Sequence, residues 1–224
     1  MANSTTTLLQ AVNRVLLDVG ERQVSNFSSP AASKAKAYLA DAFTDLQNFH
    51  DWEWARTILS VTNWDLDEAT FTNLRRIQDV IWNNPNSQGS QFIPHVDLLT
   101  YQLYASEPFV NGVDGYYAPS RWTQLNEETI KVNPYPTDSI GQGQLKVNGW
   151  QYLAPPENGN DVFQCPERFM STLIKRAVYT MTVRHLGDLQ SAQLIEGEFF
   201  QQLTAFRSKE ALVTTKGVNM WRRR

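Results

Sequence analysis

The chain of 224 residues has one cysteine, Cys165, and three histidines, His50, His95 and His185. A single thiol cannot close an internal disulfide or furnish a thiolate zinc cage, so a protein made and kept in a reducing cytoplasm is expected. No run approaches the roughly 20 apolar residues that span a bilayer, and Met1 to Thr7 lacks the basic and apolar regions of a secretory leader. No membrane partner is expected, and Asn3-Ser4-Thr5 and Asn26-Phe27-Ser28 read as accidental matches to the glycosylation pattern. Charge of either sign is also scarce: 20 basic and 23 acidic residues leave a net −3. That balance argues against a protein that coats nucleic acid through its whole surface. Catalytic signatures are missing too. There is no G-x-S-x-G elbow, Walker loop or H-E-x-x-H, and Gly141-Gln142-Gly143 lacks the third glycine and following helix of a dinucleotide site. The three histidines fall in three different predicted elements. No catalytic residue, metal ligand or cofactor is therefore expected, and the chain reads as a non-enzyme.

What is present is apolar surface. Aromatic residues make up 12% of the chain, too much to leave in water, which excludes disorder as a class. Proline placement then divides the sequence. Eight of ten prolines lie between Pro85 and Pro156, while Pro30 and Pro166 stand at the openings of long proline-free stretches, where a first helical turn tolerates them.

Leu8, Leu9, Val12, Val15, Leu16 and Val19 form one helical stripe, stopped by Gly20. A second helix opens with Ser28 or Ser29 as N-cap and runs through Ala31, Ala35, Leu39, Ala42, Leu46 and Phe49 to end near Trp52. Strands are expected at Ile58–Thr62, Arg76–Trp82, Arg121–Leu125, Thr129–Asn133 and Gly143–Tyr152, with a short helix within Val96–Ser106. From Pro166 the helical period returns in the rows Phe169, Leu173, Ala177, Met181 and Met170, Ile174, Val178. A last helix from Asp188 carries Ala192, Ile195, Phe199, Leu203 and Phe206. The fold class is α+β. Residues 1–55 and 166–212 are expected to form an antiparallel helical bundle, 56–165 an inserted antiparallel β domain (sandwich or barrel), and 213–224 an extended docking tail.

Three features could carry function. The acids Asp65, Asp67 and Glu68, with Glu127 and Glu128, could serve a glycosidase that uses two carboxylates, but nothing in the spacing makes the clusters face each other, and solvated loop charges are the simpler reading. Trp52, Trp54, Trp122 and Trp150 read as core or domain-junction residues. Surface tryptophans acting with carboxylates would instead make a carbohydrate-binding or carbohydrate-degrading component. The C-terminus is the third feature. Arg207, Lys209, Lys216, Arg222, Arg223 and Arg224 against Glu210 give residues 207–224 a net +5, leaving −8 for residues 1–206. Three terminal arginines after Met220 and Trp221 suit a protein pocket better than the longer basic runs of a DNA-binding arm.

The segment Leu8-Leu9-Gln10-Ala11-Val12-Asn13 through Val19-Gly20-Glu21, the alanine-rich helix closing on Phe49-His50-Asp51-Trp52-Glu53-Trp54-Ala55, Ala118-Pro119-Ser120-Arg121-Trp122 and Thr129 to Pro136 together resemble the tail tubular protein A family, the head-to-tail adaptors of short-tailed podoviruses. The likeness covers most of the chain. It implies a virion protein made in the host bacterial cytoplasm, assembled as a ring generally of twelve copies between the portal protein and the tail nozzle. An axial channel would let genome DNA pass without sequence-specific binding. It also implies portal docking by Met220, Trp221, Arg222, Arg223 and Arg224, and contacts between subunits or with the nozzle by Trp64, Trp82, Tyr116 and Tyr117.

Overall fold

A computed structural model describes residues 4–83, 90–103, 108–109, 119–136, 144–187 and 189–221, with their side chains except at 108–109, 185–186, 191–192 and 211–221. In chain order the elements are α1 (Leu8–Asp18), α2 (Pro30–Phe49), β1 (Arg56–Ser60), β2 (Asn63–Asp65), β3 (Glu68–Thr70), β4 (Leu74–Asn83), β5 (Ser90–Ile93), α3 (Leu98–Gln102), β6 (Pro108–Phe109), β7 (Arg121–Gln124), β8 (Thr129–Asn133), β9 (Tyr135–Pro136), β10 (Leu145–Gln151), α4 (Met170–Met181) and α5 (Leu189–Trp221). The class is α+β. The chain divides into two compact units, Met1–Trp54 with Leu153–Arg224, and Ala55–Tyr152. Leu153 to Cys165, expected with the strands, thus belong with the helices.

In the helical unit α1 and α2 start where the sequence supplies a cap, while α4 opens on Phe169 with no side-chain cap. Thr7 accepts from the Gln10 amide while the Gln10 side chain accepts from the Thr7 amide, a reciprocal capping box that satisfies two otherwise orphaned donors. Ser29 caps α2 ahead of Pro30, and α2 stops at Phe49, short of Trp52. Gly20 and Gly187 sit at φ +82° and +67°, the left-handed conformation that ends a helix without a Cβ penalty. The stripes then bury as one core: Leu8, Val12, Val15 and Leu16 of α1, Leu39, Phe43 and Leu46 of α2, both rows of α4, and Phe199 and Leu203 of α5. Phe169 lies edge-on to Trp52 at 4.9 Å and to Phe206 at 4.7 Å, joining α2's exit to α5. Between α4 and α5 a π-helical turn spans Thr182–Leu186.

Helix α5 differs from expectation at its far end. An extended segment was expected from Val213, but the backbone stays helical through Trp221. The stretch contains no proline, so although Gly217 and several β-branched residues are weak helix formers, nothing in it forces the backbone out of the helix, and loss of apolar period alone does not end one. The side chains of Met220 and Trp221, and Arg222 to Arg224 altogether, lie outside the described residues.

The strand unit holds two four-stranded antiparallel sheets, ordered β1-β10-β4-β5 and β2-β3-β8-β7, and a two-residue parallel pair of β6 with β9. The short strands β2, β3 and β5 carry too few residues for an alternation to be read. Both sheets feed one core of Ala69, Phe71, Leu74, Val80, Trp82, Ile93, Trp122, Ile130, Val132, Leu145 and Val147. Trp82, proposed from sequence as a contact with another subunit or the nozzle, is 0% exposed and fills this core instead. Its position explains why: Val80 and Trp82 alternate inward on β4 while Ile81 points to the other face. Between Asn148 and Gly149 the β10–β4 register shifts in a bulge. A Cβ at Gly149 would lie 2.3 Å from the Arg76 carbonyl oxygen.

The N-terminus is fastened by one side chain. Glu167, in the turn before α4, accepts from Ser4 Oγ at 2.6 Å, Thr6 Oγ1 and the Thr5 amide at 2.8 Å. The Ser4 and Thr6 hydroxyls lead the forces that pull its carboxyl down to about 2.

Two outcomes follow. Gly149→Ala forces backbone apart at the centre of a sheet and should cost about 1–3 kcal/mol, read as a lower urea midpoint with unchanged slope; an unchanged midpoint would refute the close approach. Because the Glu167 pKa is depressed in the folded state, its contribution is complete above the ordinary glutamate value of about 4.5 and is lost as pH falls from there towards about 2. Glu167→Gln should lower stability at pH 7 by about 1 kcal/mol, discounted for exposure, and should converge with wild type near pH 2. Parallel melting curves at both pH values would contradict the assignment.

Candidate functional site

Of the acids that could have formed a hydrolytic pair, Asp67, Glu68 and Glu128 are committed elsewhere, while Asp65 and Glu127 are exposed. Asp67, 7% exposed at the tip of the β2–β3 hairpin, accepts from Tyr101 Oη at 3.0 Å and Lys131 Nζ at 3.2 Å. Glu68 takes the other side of the same ammonium at 3.2 Å. Burial works to lower the Lys131 pKa, but hydrogen bonds and charge from Asp67 and Glu68 outweigh it and raise the value. Glu128 accepts the Asn73 amide at 2.8 Å, closing a turn in which Asn73 holds φ +60°. These are ties between strands. The bland reading of solvated loop charges misses Asp67, whose burial comes from the neighbouring Tyr101.

The histidines and the cysteine are likewise absorbed. His50 packs edge-on to Trp52 at 4.8 Å and His95 on Trp122 at 4.6 Å, while the His185 side chain lies outside the described residues. Burial pushes the Cys165 thiol up to about 12, so it is a small core group with no thiolate character. Among the described residues no group of three or more His, Cys, Asp and Glu could hold a metal ion, and no helix is long and apolar enough to cross a membrane.

Of the tryptophans read as core, Trp52 and Trp122 are buried and Trp54 and Trp150 half-buried. Trp64 stands half-buried on β2, an edge strand of its sheet, and Tyr116 and Tyr117 lie outside the described residues. The surface that remains is the C-terminal part of α5. Upstream of it, α5 is anchored to α4 and the turn before α4 by Lys175 to Glu198, Arg176 to Glu196 at 3.4 Å, Thr172 to Gln202 at 2.9 Å, and Arg168 to Glu210 at 3.1 Å. Burial raises the Glu210 pKa, opposed by the Glu53 amide and by Arg168. Beyond Glu210 three further turns of helix continue to Trp221, and the sequence there holds Lys216 and the three arginines with no acid.

The geometry is that of two well-packed units in which several acids and bases tie remote segments together, with a C-terminal sequence rich in bases. No curated protein matches the chain. A family model, SU10 adaptor protein, matches residues 4–221 and so runs through both units. The chain therefore belongs to the SU10 adaptor protein family: it is a structural head-to-tail adaptor of a bacteriophage, a component of the virion neck that meets portal and tail proteins, and its family is not one of enzymes.

Proposed function

We propose that this adaptor closes into a ring, of twelve copies in the manner of tail tubular protein A of podoviruses, between the portal and the tail nozzle. Genome DNA passes through its axial channel without sequence-specific binding. The observation that carries the reading is the single family match running from residue 4 to residue 221, which makes both units parts of one adapting device. An adaptor must present unlike surfaces to two partners and two unlike flanks to its ring neighbours, a heterologous contact closed by rotation. The body's net −8 outside residues 207–224 suits a channel wall that repels phosphate.

The docking segment is the end of α5 with the residues that follow. Met220 and Trp221 enter an apolar pocket on the portal, and Arg222, Arg223 and Arg224 pair with acids around it. A helix presents such residues with less ordering cost than a flexible arm. Trp64, Tyr116 and Tyr117 are the aromatic candidates for the nozzle or the next copy.

Purified chain mixed with purified portal should give rings on the portal in electron micrographs. Removing residues 213–224 should leave a folded protein that melts cooperatively, its circular dichroism lowered only by the helical signal of residues 213–221, that no longer docks. Unaltered docking by the shortened chain would reject the role of the helix end. A mainly basic inner wall in the reconstructed ring would reject the repelling channel.

A further inference from the structure

Exposed leucines cluster around one buried hydrogen bond. Tyr101 of α3, 3% exposed, donates to Asp67 at the tip of the β2–β3 hairpin, which bolts the two segments together. Leu66 lies beside Asp67, and Leu98, Leu99 and Leu103 lie within three positions of Tyr101. These four are 72%, 42%, 69% and 78% exposed. Leu66 also holds φ +53°, a conformation costly for leucine, kept in place by the ties of the adjacent Asp67 to Tyr101 and Lys131. A chain that merely needed a hairpin there would use glycine or asparagine; here a large apolar side chain is held outward on a fixed backbone. The rim is acidic: Asp65 and Asp97 are exposed, and the strand unit carries ten acids against six bases.

The helical unit offers the opposite character. On α5, Leu189, Phe200 and Arg207 recur at whole-turn spacings of eleven and seven residues and so share one side. Leu189 is 63% and Phe200 44% exposed, and Arg207 is exposed with no ion pair among the described residues. Of the acids near that side, Glu196 is matched by Arg176 and Glu210, three residues beyond Arg207, by Arg168.

We infer that the leucine patch formed by Leu66 and α3 docks on the Leu189–Phe200–Arg207 side of α5 in the next copy of the same chain, apolar surface against apolar surface with Asp65 and Asp97 towards Arg207. The contact is heterologous, since the two surfaces lie on different units, and repeats from copy to copy until the ring closes. It rests on the ring reading above and names the surfaces that build it.

The buried, unreactive Cys165 makes the test clean. Full-length chain carrying both Leu103→Cys and Gln193→Cys, assembled on portal and treated with a flexible bismaleimide, should give a ladder of covalent oligomers, whereas either single variant should give none. Ladder-free rings, or covalent dimers from Leu103→Cys alone, would overturn the contact while leaving the ring intact. Failure of wild type to form rings on the portal would overturn both. Asp65→Lys and Arg207→Glu should each raise the protein concentration needed for half-assembly about tenfold, and combining them should restore it to within about threefold. Additive loss in the combined variant would also count against the contact.

Discussion

The helical unit is built from two stretches of chain separated by the whole strand unit, and it depends on a clamp made by Gln47. This side chain, 3% exposed on α2, donates through Nε2 to the Leu153 carbonyl at 3.0 Å and accepts the Leu153 amide through Oε1 at 2.8 Å. Leu153 is the first residue of the returning stretch. Both backbone groups of that residue are thereby satisfied where no strand or helix partner exists, and a buried amide that meets both needs costs little to bury. A second fastening follows at once: Lys36 Nζ donates to the Glu157 carbonyl, Leu8 and Leu9 amides donate to Asp161 and Gly159, and Glu167 holds Ser4 to Thr6. Helix α4 begins at Met170, seventeen residues beyond Leu153, and these ties hold the intervening stretch against the unit it packs into.

The same logic governs the strand unit, where polar side chains hold register instead of doing chemistry. Arg56 Nε donates to Asn148, whose amide donates to Asp79, linking three neighbouring strands across the face that carries no core. Trp122 Nε1 donates to the Ile93 carbonyl, joining the edge of one sheet to the edge of the other. Such bonds are modest in net energy, but leaving any of these buried groups unpaired would cost more than the bond returns.

Much of the helical unit was legible because its signals are periodic and long. The rows of α4, the Pro30 opening of α2 and the Gly20 and Gly187 stops all act within a few residues, where propensity and sterics decide. Gln47 was not legible: a glutamine two residues from the end of an amphipathic helix reads as solvent-facing, and its partner is more than a hundred positions away. Trp82 failed for a related reason, since an apolar run of Val80-Ile81-Trp82 does not say which face is inner until the β10 bulge sets the register. The end of α5 failed in the opposite sense, because loss of apolar period was read as loss of helix while the backbone stays helical. Asp67 needed Tyr101, thirty-four positions on, to become a core residue.

These misses share a cause that bears on function. In an enzyme, the polar residues a sequence cannot place tend to converge on a cleft, where their perturbed titration serves a reaction. Here the strongly perturbed groups are dispersed: Glu167 binds the N-terminus, and Cys165 sits inert in the helical core. Their energy goes into holding segments that are remote in sequence, which is what a part under load between two larger assemblies requires. On the proposed reading, recognition falls to leucines, aromatic rings and arginines. The average of −3 is the sum of a body near −8, several of whose acids tie remote segments together, and a stretch near +5 at residues 207–224.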